Sequence, residues 1–116
     1  MIKIDVISNT LIISLDGEID DHVAKSVRDK IDYVLLRKGI KNIIFDLSEI
    51  VFMDSSGIGL LMGRYRLLCQ RKGKSAIVCT NRQVLKILKM SGILKLFKLY
   101  DDVDTAINSI TSSVII

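Results

Sequence analysis

Apolar and polar positions alternate loosely through "IKIDVIS" (2–8) and "TLIISLDG" (10–17), which predicts two short strands joined at Ser8-Asn9. Loose rather than strict alternation suits a strand that is central in its sheet. The period then lengthens through "GEIDDHVAKSVRDKIDYVLLRKG". Asp20 is placed to cap a helix there, Val23, Val27, Ile31, Val34 and Leu35 form its apolar stripe, and Gly39 closes it. "NIIFDL" reads as a buried strand, and Val51 to Asp54 as an irregular extension of it. A second helix begins at Ser55 or Ser56 and runs to Gly73, with Ile58, Leu61, Met62, Tyr65, Leu68 and Cys69 as its core stripe. "SAIVC" is another buried strand. Asn81 caps a third helix that turns Val84, Leu85 and Leu88 inward and ends near Gly92. "LFKLY" is the last strand, and Asp101 or Asp102 caps a final helix carrying Val103, Ala106, Ile107 and Ile110.

The predicted order is β-β-α-β-α-β-α-β-α, an α/β domain spanning residues 1–116 with four helices. Strands that alternate with helices imply a largely parallel sheet with right-handed crossovers. The opening strand, joined by a short turn, is expected as an antiparallel edge.

Composition narrows the class without changing this outline. The chain has 116 residues, 49% hydrophobic and 26% charged, enough for one core without staples. Cys69 and Cys79 are too few and too far apart for a zinc site or a disulfide framework, and both are expected as small buried hydrophobes. No signal-peptide pattern opens the chain, and no apolar run approaches the ~20 residues that span a bilayer. A soluble cytoplasmic domain is expected. Charge is unevenly spread. Residues 1–54 carry 7 Lys/Arg and 10 Asp/Glu, whereas residues 55–100 carry 10 Lys/Arg and no acid. That asymmetry suggests either a solvated basic surface, the reading charge alone favours, or an electropositive region that steers an acidic partner; few aromatics and no nucleic-acid motif accompany it.

Catalytic and cofactor chemistry finds little support. His22 is the only histidine and sits at a helix start, where a capping or surface role is expected rather than a place in a triad, and no ligand cluster supports metal binding. There is no P-loop. "GIGLLMG" follows a strand as a dinucleotide-binding turn would, but its spacing is one residue too long and no acid follows for the ribose. A phosphoaccepting receiver would need clustered acids after its first strand, where this chain has a hairpin.

"FMDSSGIGLLMGRYR" (52–66) breaks local rules instead. One cap suffices for a helix start, yet Asp54, Ser55 and Ser56 are all present. Gly57 and Gly59 each weaken a helix by about 1 kcal/mol relative to Ala. Either the helix start packs closely, or another molecule's backbone comes near it. Leu60, Gly63 and Leu67, with Arg64 beside them, form a second strip off the core stripe; either the helix is buried on two sides or the strip is a partner-binding face continuous with the serines, and its narrowness and interruption by glycine favour the second. A phosphate on Ser55 or Ser56 would meet helix N–H groups and act on a docked partner rather than on the fold.

"FMDSSGIG" and "GRY", after "LDGEIDDH" and before "LKMSGILKLF", resemble the sulfate-transporter and anti-sigma-antagonist (STAS) domain, and within it the sporulation anti-sigma factor antagonists. The resemblance covers essentially the whole chain. It implies a protein that is not an enzyme and needs no cofactor. Its partner would be an anti-sigma factor that is itself a serine kinase holding ATP or ADP, and binding would free a sigma factor. Carried over by position, the phosphoacceptor is Ser55, framed by Asp54, Ser56 and Gly57, with Asp20, Asp21 and His22 in a loop near the same surface. A metal-dependent serine phosphatase would reverse the modification. Asp21 stands where the sporulation branch usually has a histidine. The resemblance also leaves open a STAS subunit of a general stress or transporter-associated system. The absence of a fused membrane or sensor segment favours a free-standing antagonist.

Overall fold

A computed structural model describes residues 2–111. Its elements are β1 (Ile2–Ile7), β2 (Thr10–Ile19), α1 (Asp21–Lys38), β3 (Asn42–Met53), α2 (Ser55–Gln70), β4 (Ser75–Val78), α3 (Arg82–Ser91), β5 (Lys98–Tyr100) and α4 (Val103–Thr111), with a 3-10 turn at Ile93–Lys95. The five strands lie in the order β1-β2-β3-β4-β5. β1 is antiparallel to β2, and every other pairing is parallel. This is the predicted fold class, with the N-terminal strand as an antiparallel edge.

The period of two along each strand sorts side chains into two cores. Leu11, Ile13 and Leu15 of β2, Ile43, Phe45 and Leu47 of β3, and Ile77 of β4 point to the face covered by α1, α2 and α3. Ile12, Ile44, Ala76 and Val78 point to the other face, which Ala106 and Ile110 of α4 cover. Strands buried on both faces read as near-continuous apolar runs, which is why "LII" and "NIIF" show no clean alternation.

β2 and β3 extend beyond the predicted strands. The segment from Val51, expected to be irregular, is paired: Gly17 lies opposite Ile50, Glu18 opposite Phe52 and Ile19 opposite Met53. Register shifts at Ser14/Asp16 and Gly17/Glu18 accommodate it. Asp16, Glu18, Glu49, Val51 and Phe52 are exposed there, so burial no longer dictates polarity and the sequence pattern fades.

The helix stops follow expectation. Asp20 caps α1 through Val23 N–H (2.9 Å), and Gly39 ends it in the left-handed region at φ 62°. Asn81 caps α3 through Gln83 and Val84 N–H, and Asp102 holds Thr105 N–H at 2.7 Å at the start of α4. That bond lowers the Asp102 pKa. Two expectations shift. α2 ends at Gln70 rather than Gly73, and β5 excludes Leu96 and Phe97. Phe97 instead turns into the core, against Phe45 and Tyr65 with ring centroids 6.1 and 5.5 Å away.

Candidate functional site

Two helix starts sit side by side at the C-terminal ends of β2 and β3. Ile19 and Met53 are register partners, and Asp54 N–H donates to the Ile19 carbonyl at 3.3 Å. The chain therefore enters α1 and α2 from adjacent strand ends. Each entry is capped by an aspartate: Asp20 for α1 and, for α2, Asp54, whose carboxylate accepts Ser56 N–H at 2.8 Å. The predicted residues Asp20, Asp21, His22, Asp54, Ser55 and Ser56 thus meet at one end of the sheet.

Asp54 takes the capping duty, which frees both serines. Among the described residues neither hydroxyl makes a hydrogen bond. Ser55 is exposed and Ser56 half-buried. The glycines divide in the same way. A Cβ on Gly57 would fall 2.2 and 2.4 Å from Met53 side-chain atoms, so the buried helix start packs closely here and a methyl would make Met53 move. A Cβ on Gly59 or Gly63 would meet nothing within 4 Å. Packing does not demand glycine at those two positions, and they leave a stretch of α2 with bare backbone beside Ser55.

The flank of α2 toward α1 corrects the predicted strip. Leu60 and Arg64 are buried (4% and 7% exposed), and Gly63 and Leu67 are half-buried. Arg64 Nε lies 3.0 Å from Asp32 Oδ1 of α1. The pair is close but poorly aligned, so it is an ion contact without a well-formed hydrogen bond. Burial lowers the Arg64 pKa, and Asp32 opposes that shift. The helix has turned toward α1. Leu60, Leu61, Arg64 and Leu68 form its buried face, while Cys69, expected inside, is exposed. An arginine and a glycine on the buried face hid this orientation from the apolar pattern. A groove remains along this flank, lined by Asp21, Lys25, Arg28, Ser56, Gly59 and Arg64.

The flank toward α3 carries residues that the motif reading missed. Met53, Asp54, Ser55, Ile58, Ile87, Met90 and Ser91 line an open and largely apolar cleft. Met90 is 78% exposed and Phe52 48%. The available signal was Met90 itself, an apolar residue off the inward stripe of a strongly amphipathic helix. Part of the basic half lies away from this end. Lys72 and Lys74, with Lys41, surround a groove at the starts of β3 and β4, at the opposite end of the sheet from Ser55. Among the described residues no group of three or more His, Cys, Asp or Glu is placed to hold a metal, and no helix is long and apolar enough to cross a membrane.

Residues 1–106 match the STAS domain family. The chain is 39% identical over 92 residues to the anti-sigma F factor antagonist of Paenibacillus polymyxa, covering 79% of each chain. Its fold is similar to the unphosphorylated anti-sigma factor antagonist SpoIIAA, with a TM-score of 0.87, 28% identity, and coverage of 98% of this chain and 99% of that one. It is also similar to the phosphorylated form of the Bacillus cell fate determinant SpoIIAA, with a TM-score of 0.75, 27% identity, and coverage of 94% and 98%.

Proposed function

The chain belongs to the STAS domain family, and from that premise we propose that it is an anti-sigma factor antagonist whose docking surface is switched off by phosphorylation of Ser55. The unphosphorylated protein binds an anti-sigma factor and releases the sigma factor held there. The partner is also the kinase: it holds ATP and passes the γ-phosphoryl group to Ser55 Oγ, whose proton goes to a base of the partner, and ADP remains. A metal-dependent phosphatase hydrolyses the phosphoserine and restores binding. The observation that carries this reading is the position of Ser55. Its hydroxyl is exposed, relieved of capping by Asp54, and set on the rim of the apolar cleft. The existence of a phosphorylated SpoIIAA structure supports it.

The switch follows from local electrostatics. A phosphate adds about −1.5 to −2 charges. The N-terminus of α2 tolerates it, since the first N–H groups and the dipole favour an anion, while the Asp54 carboxylate opposes it. The fold should therefore persist. A partner that covers the cleft must strip water from that dianion, which costs a few kcal/mol, a loss of about a hundredfold in affinity.

The test is incubation of the purified chain with its organism's anti-sigma factor kinase and Mg-ATP, followed by intact mass, site mapping and complex formation. One phosphate, on Ser55, with loss of the complex is expected. S55A should bind and never switch off, and S55D should bind weakly with an unchanged circular dichroism spectrum. Phosphate on Ser56, or tight binding after modification of Ser55, would overturn the reading.

A further inference from the structure

The two edges of the sheet differ. β5 is three residues long, a blunted edge. β1 is six residues long, and its outer side pairs with nothing among the described residues. Val6 and Ile7 on it are 43% and 46% exposed. Its register with β2 places Ile2, Ile4 and Val6 opposite Leu15, Ile13 and Leu11, on the face of the main core. Lys3 and Asp5 share the other face, both solvent-exposed, 3.8 Å apart along the strand. Charges on an edge commonly protect it from pairing. Here their order does something more selective.

We propose that β1 is a self-pairing edge, joining a second copy of this chain in an antiparallel dimer centred on Ile4. Outward-facing groups on one edge share a parity, so two copies can meet only in registers that pair residues of equal parity. Centring on Lys3 would set lysine against lysine. Centring on Asp5 would set aspartate against aspartate. Centring on Ile4 sets Lys3 against Asp5 of the second copy, twice by symmetry. It also sets Ile4 against Ile4 and Ile2 against Val6 on the core face. Opposite charges directly across a strand pair stabilise it, and like charges destabilise it. The strand therefore complements itself in one register and rejects the two beside it, as a two-fold interface requires.

The dimer would join both sheets edge to edge and cover Val6. It would leave the Ser55 surface open, because β1 pairs only with Thr10–Leu15 and the site lies past Ile19. Five paired positions make an interface well below the standard size, so association is weak, with half-dimerisation expected at about 0.1–1 mM.

Sedimentation equilibrium on the full chain, from about 10 μM to about 1 mM, tests this. A monomer–dimer equilibrium is expected. K3D and D5K should each weaken it about tenfold or more, because two attractive pairs become two repulsive ones. The K3D/D5K double variant, which restores opposite charges across the pair, should recover dimerisation, with circular dichroism confirming the fold of all three. A monomer at every concentration, a dimer indifferent to the single reversals, or a double variant no better than either single would each overturn the proposal.

Discussion

The two flanks of α2 start from the same turn and end differently. Toward α1 the helix is largely finished: Leu60 is buried and Arg64 meets Asp32 across the interface, although a groove remains at Ser56 and Gly59. Toward α3 it is left open: Ile58, Ile87 and Met90 form a cleft without a lid, with Ser55 on its rim. The finished flank holds the helix start in place. The open flank offers the surface that such a start can present. Polarity is therefore a poor guide to function here, since the charged pair is buried between two helices and the exposed apolar residues adjoin Ser55. Breaking one flank should cost stability, and breaking the other should cost binding.

Arg64→Ala should have the largest effect. It strands Asp32 and removes the arginine stem from the α1–α2 contact. Losing one member of a fully buried pair costs about 3–5 kcal/mol. The Asp32 side chain is 34% exposed and the contact is poorly aligned, so a loss of about 2–3 kcal/mol is expected by chemical denaturation. Replacing both partners with apolar residues, R64M/D32L, should return stability to within about 1 kcal/mol of the original. Anti-sigma factor binding by the folded R64A fraction should be unchanged. If binding collapsed while the fold held, the Arg64 side chain itself would belong to the docking surface, and the division between a buried contact that holds the helix and an open surface that binds would fail.

Gly57→Ala comes next. Its Cβ needs Met53 to move, at a cost of about 1–3 kcal/mol for an overpacked site, reduced if the flexible thioether gives way. Because Met53 also lines the α3 cleft, this variant couples the two flanks. Thermal melts should show the loss of stability, and binding should weaken beyond what the unfolded fraction accounts for. A variant as stable as the parent would mean that Met53 repacks freely and that Gly57 is not required there.

The element order, the caps and the antiparallel edge were legible because they rest on strong local signals: Asp20, Asn81 and Gly39 at helix ends, and apolar runs between them. The Ser55 turn was legible as a break in local rules. The orientation of α2 was not. Its buried face includes Gly57 and Arg64, neither of which an apolar stripe records, so the reading set Cys69 inside and Leu60 and Arg64 outside. The α3 cleft was hidden for a related reason. Ile58 and Ile87 belong to two helices whose caps and periods say nothing of the space between them, and only tertiary packing shows that it stays unfilled. The paired ends of β2 and β3 were missed because exposed strands lose the polarity pattern that burial imposes.

Met90→Ala probes the open flank alone. The side chain is 78% exposed, so stability should change by less than about 0.5 kcal/mol. Affinity for the anti-sigma factor should fall about tenfold if Met90 is covered in the complex, as for an anchor in a desolvated pocket. Titration calorimetry with the unphosphorylated protein reads this directly. An unchanged affinity would confine docking to Ser55 and the exposed helix face, and leave the cleft as incidental space.

Gly59→Ala has the smallest expected effect, and its sign separates the two roles of the helix. The new methyl meets nothing within 4 Å, and the residue lies inside α2 with ordinary helical geometry. Replacing an exposed helical glycine by alanine removes unfolded-state entropy, so the domain should gain about 0.5–1 kcal/mol and melt a few degrees higher. A glycine retained against that gain suggests close approach by another backbone. The same variant should then bind the anti-sigma factor several-fold more weakly, although it is the more stable protein. Gly63→Ala, one turn further along, should repeat the gain in stability with a smaller loss in binding. If Gly59→Ala gained stability and bound as tightly as the parent, the bare stretch of α2 would have no part in recognition. Docking would then rest on Ser55 and the α3 cleft.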